Sequence, residues 1–189
     1  MTFRRILSRL AAAAAIAAVA PCALAATKDV VMDRITAPAS APATAQAGDA
    51  MVVSVLVESP NGTLAPRPVS ARFHTGDRFR IKVLASRDGS IALYNTRPNG
   101  ERVAAPLWRG NVTRGLELLT PRLRLDGMRG TDQLHVVLEP PQEPNVLSWL
   151  VARLSSKDVQ LDVQNTATET YLMGGARPGL WTTLFITHR

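Results

Sequence analysis

The side chains best suited to acid–base or metal chemistry in this 189-residue chain are three histidines, and they lie far apart. His74, His135 and His188 have no partner at the spacing by which one helix presents two metal ligands. His135 alternates with Leu134 and Val136, so we expect it on the solvated face of a strand. His188, the next-to-last residue, is expected to be frayed. We therefore predict no catalytic, metal-binding or cofactor-binding residue.

The sequence motifs of common enzyme classes are missing as well. The chain has no Gly-x-Ser-x-Gly elbow, no phosphate-binding loop and no dinucleotide fingerprint. A glycine-rich run at residues 173–179 precedes a predicted strand, whereas a phosphate cradle needs the amides of a helix N-terminus. We expect a protein that is not an enzyme, and an enzyme of unrecognised type is the less favoured alternative.

Basic residues on one predicted strand are the feature that most suggests binding. In residues 78–84 (RFRIKVL), apolar and basic side chains alternate with a period of two, which is typical of a half-buried strand. A neighbouring strand is expected to add one more arginine. The resulting candidate docking face consists of Arg78, Arg80, Lys82 and Arg102. It would suit an acidic envelope protein or an anionic glycan, and the alternative is an ordinary solvated sheet face.

The overall charge limits the classes of partner. The formal net charge is +7, from 22 Lys and Arg against 15 Asp and Glu. Arg4, Arg5 and Arg9 lie in the first 25 residues, so the rest of the chain has only a mild basic excess. Nucleic-acid binders usually show a denser basic stripe with stacking aromatics, so no nucleic-acid partner is expected.

Residues 1–25 have the three-part pattern of a cleavable signal peptide. Basic residues are followed by the apolar run Leu10–Ala20 and by Ala23-Leu24-Ala25, where we place cleavage, with Ala26 as the other position. The expected location is therefore the periplasm or the medium. The apolar run is shorter than the roughly 20 residues of a membrane span, so no transmembrane segment is expected in the mature chain. A retained anchor and lipidation of Cys22, the only cysteine, are the alternatives.

The remaining chain divides by composition into a spacer and one domain. Residues 26–50 are rich in Ala, Pro and Thr and predict a flexible spacer, in which Val30–Met32 could form an edge strand. Residues 51–189 predict a single β-rich domain, an antiparallel, immunoglobulin-like β-sandwich with one short helix near 145–154. The predicted strands are 51–58, 69–73, 78–84, 91–95, 102–107, 133–139, 159–163 and 180–187.

The middle of the chain is similar to a known family. Residues 76–83 (GDRFRIKV), 87–95 (RDGSIALYN) and 98–100 (PNG) carry the resemblance. Over residues 69–140 the chain resembles the bacterial envelope family called domain of unknown function 4384. The resemblance implies an exported β-sandwich-like module, usually without a known enzymatic role, and it supplies no catalytic residue.

Two non-enzymatic functions follow as expectations. The first is an exported interaction module of the bacterial cell envelope, with an envelope protein as its partner. The second is a periplasmic protein that binds a glycan or a small molecule. In that case Trp108, Trp149 and Trp181 could stack on sugar rings, although Trp149, on the predicted helix, is expected to belong to the hydrophobic core.

Overall fold

The fold is mainly β, as the sequence predicts. The computed structural model describes residues 26–36, 48–140, 147, 150–151, 161–166, 168–174 and 179–189. This part of the chain contains two antiparallel sheets that enclose one hydrophobic core. The arrangement is consistent with the predicted immunoglobulin-like sandwich. Within the described residues, no helix combines the length and the apolar character needed to cross a bilayer.

The named elements of the described chain are one helix followed by strands. In chain order they are α1 (Ala26–Thr36), β1 (Ala50–Glu58), β2 (Leu64–Pro66), β3 (Arg78–Ala85), β4 (Gly89–Thr96), β5 (Trp108–Val112), β6 (Leu118–Leu119), β7 (Leu123–Arg124), β8 (Gly130–Leu138), β9 (Leu161–Asn165), β10 (Glu169–Gly174) and β11 (Leu180–His188). The seven-stranded sheet has the order β6-β3-β1-β10-β9, with β7 also on β3 and β2 also on β1. The four-stranded sheet has the order β11-β8-β4-β5.

Strand β1 is the centre of the larger sheet, and one of its edges is shared by two neighbours. β3 pairs with the first edge over Met51–Val57. On the other edge, β10 pairs with Ala50–Ser54 and β2 pairs with Leu56–Glu58. The backbone amide of Arg67 donates to the carbonyl of Val55 at 2.9 Å. The partner of β1 on this edge therefore changes next to Val55.

Period-two alternation builds the core, as the sequence predicts. In β3, Phe79, Ile81 and Val83 are at most 2% exposed and point between the sheets. In β8, Leu134, Val136 and Leu138 are buried against them. Burying each such side chain is worth about 1.5–3 kcal/mol. Because β3 buries these residues, its basic side chains lie on the opposite face of the seven-stranded sheet.

Helix α1 corrects the prediction for the start of the described chain. Residues 26–36 are helical, so the predicted spacer and the edge strand at Val30–Met32 are wrong there. Val31 and Ile35 lie four residues apart on one helix face and pack against Val52 and Tyr171 on the outer side of the seven-stranded sheet. Residues 37–47 lie outside the described residues.

The packed domain begins before the predicted boundary at residue 51. Gly48 and Asp49 are already buried. The Asp49 carboxylate accepts hydrogen bonds from Arg87 Nε at 2.8 Å and from the Gly179 amide at 2.6 Å. These contacts tie the start of β1 to the turn before β4 and to the residue before β11.

Two predicted strands are irregular in the structure, and the predicted helix is described only in part. Residues 69–72 form no strand, and only Phe73 makes an isolated bridge, to His188. Residues 102–107 form no regular strand, but they run back along β4 as the predicted hairpin arm. Arg102 makes a bridge with Thr96, and the amides of Val103 and Leu107 donate to the carbonyls of Asn95 and Leu93. Leu147, Leu150 and Val151 are helical, and the other residues of 145–154 lie outside the described residues, as does the predicted signal peptide at 1–25.

Candidate functional site

Three of the four predicted docking residues share the outer face of the seven-stranded sheet. Arg78, Arg80 and Lys82 alternate with the buried side of β3 and therefore point away from the core. In the register with β1, Lys82 lies opposite Ser54 and Arg80 lies opposite Leu56. The alternation in the sequence was sufficient to predict this part of the surface.

Arg102, the fourth predicted residue, lies elsewhere. It is exposed and makes an isolated bridge with Thr96 of β4, in the four-stranded sheet. Its charge acts on His135 of the neighbouring strand β8. The prediction that Arg102 joins the other three residues is wrong, because its neighbour β4 belongs to the four-stranded sheet, whereas β3 belongs to the seven-stranded sheet.

Two arginines that the sequence reading did not include complete this surface. Arg124 of β7 is the direct Cα partner of Arg78. Arg122 lies two residues earlier and forms an ion pair with Glu58, with Nε–Oε2 at 2.6 Å and Nη2–Oε1 at 2.7 Å. The alternation in 121–124 (PRLR) was the available signal. We call the set Arg78, Arg80, Lys82, Arg122 and Arg124 the basic face.

The five cations of the basic face differ in how they are partnered. Lys82 Nζ lies 3.2 Å from Glu117 Oε1, and Arg80 Nη1 lies 3.5 Å from the carbonyl oxygen of Thr120. Arg78 and Arg124 are exposed and, within the described residues, neither forms an ion pair. Like charges directly opposite in a sheet repel each other. The Arg78–Arg124 pair therefore leaves two guanidinium groups available to one anionic group.

His135 is buried, which corrects the prediction of a solvated histidine. Its side chain points away from the core between the two sheets, as expected. Nevertheless, only 4% of the residue is exposed. Nε2 lies 2.9 Å from the Thr96 hydroxyl and Nδ1 lies 2.8 Å from the Thr183 hydroxyl. Burial, and secondarily the charge of Arg102, lower the pKa of His135 below its usual value. Both ring nitrogens are satisfied by the chain itself.

His188 is also buried rather than frayed. It is 1% exposed, with Nε2 3.0 Å from Asp132 Oδ2 and Nδ1 3.1 Å from the Thr75 hydroxyl. The other oxygen of Asp132, Oδ1, accepts a hydrogen bond from the side-chain amide nitrogen of Asn95 at 3.3 Å. These partners lie far from His188 in sequence, which is why the sequence gave no sign of the cluster.

The hydroxyl, histidine and carboxylate of this cluster have the residue types of a hydrolase triad but lack its setting. A nucleophile needs amide donors beside it that can stabilise an oxyanion. The amide of Thr75 donates to the carbonyl of Arg189, and the amide of Gly76 donates to the carbonyl of Leu125. Because both nearby amides are engaged, the cluster is suited to holding the chain end against residues 73–75.

The tryptophans do not form a shared stacking platform. Trp108 packs against the core between the sheets, whereas Trp181 packs on the opposite face of the four-stranded sheet, beside Leu150. Trp149 lies outside the described residues. Stacking of one sugar on both described tryptophans is therefore not possible in this arrangement.

No group of three metal-ligating side chains occurs in the described part of the chain. Comparisons with protein-family models, curated proteins and solved structures returned no match.

Proposed function

We propose that the protein is an exported, non-catalytic interaction module of the bacterial cell envelope, in the periplasm or secreted. In this proposal its basic face docks an acidic segment of an envelope protein. The observation that carries the proposal is the Arg78–Arg124 pair, two exposed cations placed directly opposite each other without a carboxylate partner in the described residues. The pattern of residues 1–25 supports export, and the partial family resemblance supports an envelope role.

The charges of the basic face favour an anionic partner with several carboxylates. A single exposed ion pair is worth only about 0.2–1 kcal/mol. Arginine can bind a carboxylate through two parallel hydrogen bonds, and neighbouring arginines can hold successive carboxylates of one segment. Docking should therefore require several cations together and weaken as salt screens them.

Apolar side chains beside the cations favour a protein over a glycan. Leu119 of β6 is the Cα partner of Lys82 and is 39% exposed, and nearby Leu116 is 62% exposed. Protein interfaces combine an apolar centre with a charged rim. An acidic segment with at least one large apolar side chain would satisfy both parts of this surface.

The test is capture of a partner by the full-length protein with an affinity tag after Arg189. Envelope extract of the native host is applied at about 50 mM and about 300 mM salt, so that screening changes appreciably. We expect one stoichiometric, salt-sensitive protein that is lost from the double variant Arg78→Gln/Arg124→Gln. The matched control is Arg97→Gln/Arg102→Gln, which removes the same charge from the hairpin that follows β4, away from the basic face.

Equal capture by the two double variants would contradict the role of the basic face. Capture of an acidic polysaccharide in place of a protein, measured with polysaccharide-coated beads, would favour the glycan alternative. The absence of any salt-sensitive ligand in both assays would refute the proposal.

A further inference from the structure

A cavity of about 190 Å³ opens between the two sheets, on the side of β1 opposite to β3. It lies where the neighbour of β1 changes from β10 to β2, so that neither strand fills the space beside Val55. The described residues that line it are Val53, Val55, Val69, Ser70, Thr166, Thr168, Glu169, Thr170 and Leu184.

The cavity has an apolar floor and a rim of hydroxyl groups. Val53, Val55 and Leu184 belong to the hydrophobic core and point inward. Two hydroxyl-bearing residues lie nearer to solvent, the exposed Ser70 and the half-buried Thr168. A ligand with one apolar side and one polar end would match this division.

The lining carries no charge that could balance a charged ligand. Glu169 is the one ionisable residue among those lining the cavity, and its carboxylate lies on the outer face of the sheet. There it accepts hydrogen bonds from the Ser54 hydroxyl, at 3.4 Å, and from the Tyr171 hydroxyl. Burial, together with this contact to Glu169, raises the pKa of Tyr171 to about 12. A charged molecule in the cavity would lose hydration without gaining a counter-charge.

Thr170 supplies the polar group that a ligand would meet inside the cavity. It is 8% exposed and faces the same side of the sheet as its Cα partner Val53. Within the described residues its hydroxyl makes no hydrogen bond. Thr170 Oγ1 is not among the enclosed polar atoms that lack a partner, so it is open to the cavity, and a ligand hydroxyl or carbonyl group can replace water beside it.

We propose that this cavity binds a small neutral molecule with an aliphatic or alicyclic body and one hydroxyl or carbonyl group. The body lies on Val53, Val55 and Leu184, and the polar group forms a hydrogen bond with Thr170 Oγ1. The site is on the inner side of the seven-stranded sheet, whereas the basic face is on its outer side. Binding here is therefore independent of the docking proposed above.

The experiment uses cyclohexanol as the probe and the full-length protein with ¹³C-labelled Val and Leu methyl groups. The methyl NMR signals of Val53, Val55 and Leu184 are expected to shift in a saturable way. Cyclohexylammonium, which has the same ring but a positive charge, is expected to leave these signals unchanged.

Two threonine variants test the predicted hydrogen bond. Thr170→Val keeps the shape but removes the hydroxyl, and it should raise the dissociation constant for cyclohexanol about fivefold. Thr182→Val is the matched control, because Thr182 is also 8% exposed and lies in a strand but does not line the cavity. It should bind cyclohexanol like the unchanged protein.

Any of three results would overturn the proposal. The first is the absence of saturable shifts, which would mean that the cavity holds water only. The second is equal binding of cyclohexylammonium. The third is an equal dissociation constant for the two threonine variants. For each variant, the methyl signals away from the cavity show whether the protein is folded.

Discussion

The buried histidines and the basic face are both polar regions, but the chain treats them in opposite ways. Each ring nitrogen of His135 and His188 has a hydrogen-bond partner from a distant part of the chain. On the basic face, Arg78 and Arg124 repel each other in the open, without a carboxylate partner in the described residues. Only the first arrangement lowers the free energy of the folded chain by itself.

This difference separates groups that hold the fold from groups that remain available to another molecule. A buried polar group left without a partner costs much more than an exposed one, because water cannot replace the lost hydrogen bond. Substitutions in the histidine clusters should therefore reduce stability, and substitutions of the unpaired arginines should not. Three measurements on purified protein, in order of decreasing effect, can break or sharpen this contrast.

The largest effect is expected for Asp132→Ala. The change removes the partner of the buried His188 ring and of the side-chain amide of the half-buried Asn95. We expect the free energy of unfolding at about pH 7 to fall by about 3 kcal/mol. Urea denaturation measures this change. The control Asp126→Ala removes an exposed carboxylate and should stay within about 0.5 kcal/mol of the unchanged protein. Equal losses in the two variants would contradict the contrast.

A smaller effect is expected from the titration of His135. Its folded-state pKa is lowered, so the unfolded chain binds more protons in the window between that pKa and the ordinary value of about 6.5. Above about pH 6.5 His135 is neutral in both states and does not reduce the free energy of unfolding. As the pH falls below about 6.5, the free energy of unfolding decreases.

The variant His135→Gln isolates this contribution from those of the other histidines. We compare its free energy of unfolding with that of the unchanged protein at about pH 7.5 and about pH 5.5. The unchanged protein should lose more stability on acidification. Parallel pH profiles would show that the burial of His135 has no energetic consequence.

The smallest effect, and one of opposite sign, is expected for Arg78→Gln. Removing one of two like charges should raise the free energy of unfolding by about 0.5 kcal/mol at low salt. High salt should abolish the gain because it screens the repulsion. The comparison variant Arg122→Gln loses its ion pair with Glu58 and should be slightly destabilised. A loss of stability in Arg78→Gln would mean that the arginine pair is part of the fold.

The sequence predicted the features that depend on local alternation. β3 and β8 bury the expected residues, and Arg78, Arg80 and Lys82 share a face because period two determines the side of a strand. Other predictions failed because they depend on which strands become neighbours. Arg102 is separated from the basic face, and Arg124 joins it, through pairings that no local pattern specifies.

The two histidines and helix α1 illustrate two further limits. His135 alternates like a solvated residue, yet it is buried among side chains brought there by the tertiary fold. For α1, the four-residue spacing of Val31 and Ile35 indicated a helix. The prediction gave more weight to the Ala- and Pro-rich composition of 26–50 and was therefore wrong. The cavity could not have been predicted either, because it arises where β2 and β10 meet on one edge of β1.

The position of β1 also has a consequence for how the chain folds. Its first five residues pair with Glu169–Met173, and Phe73 forms a bridge with His188, so key contacts join distant parts of the chain. Proteins with such high contact order typically fold in roughly milliseconds to seconds. During that time one edge of the apolar strand β1 is exposed until β10 arrives. The protein should therefore benefit from a chaperone that protects unpaired strand edges.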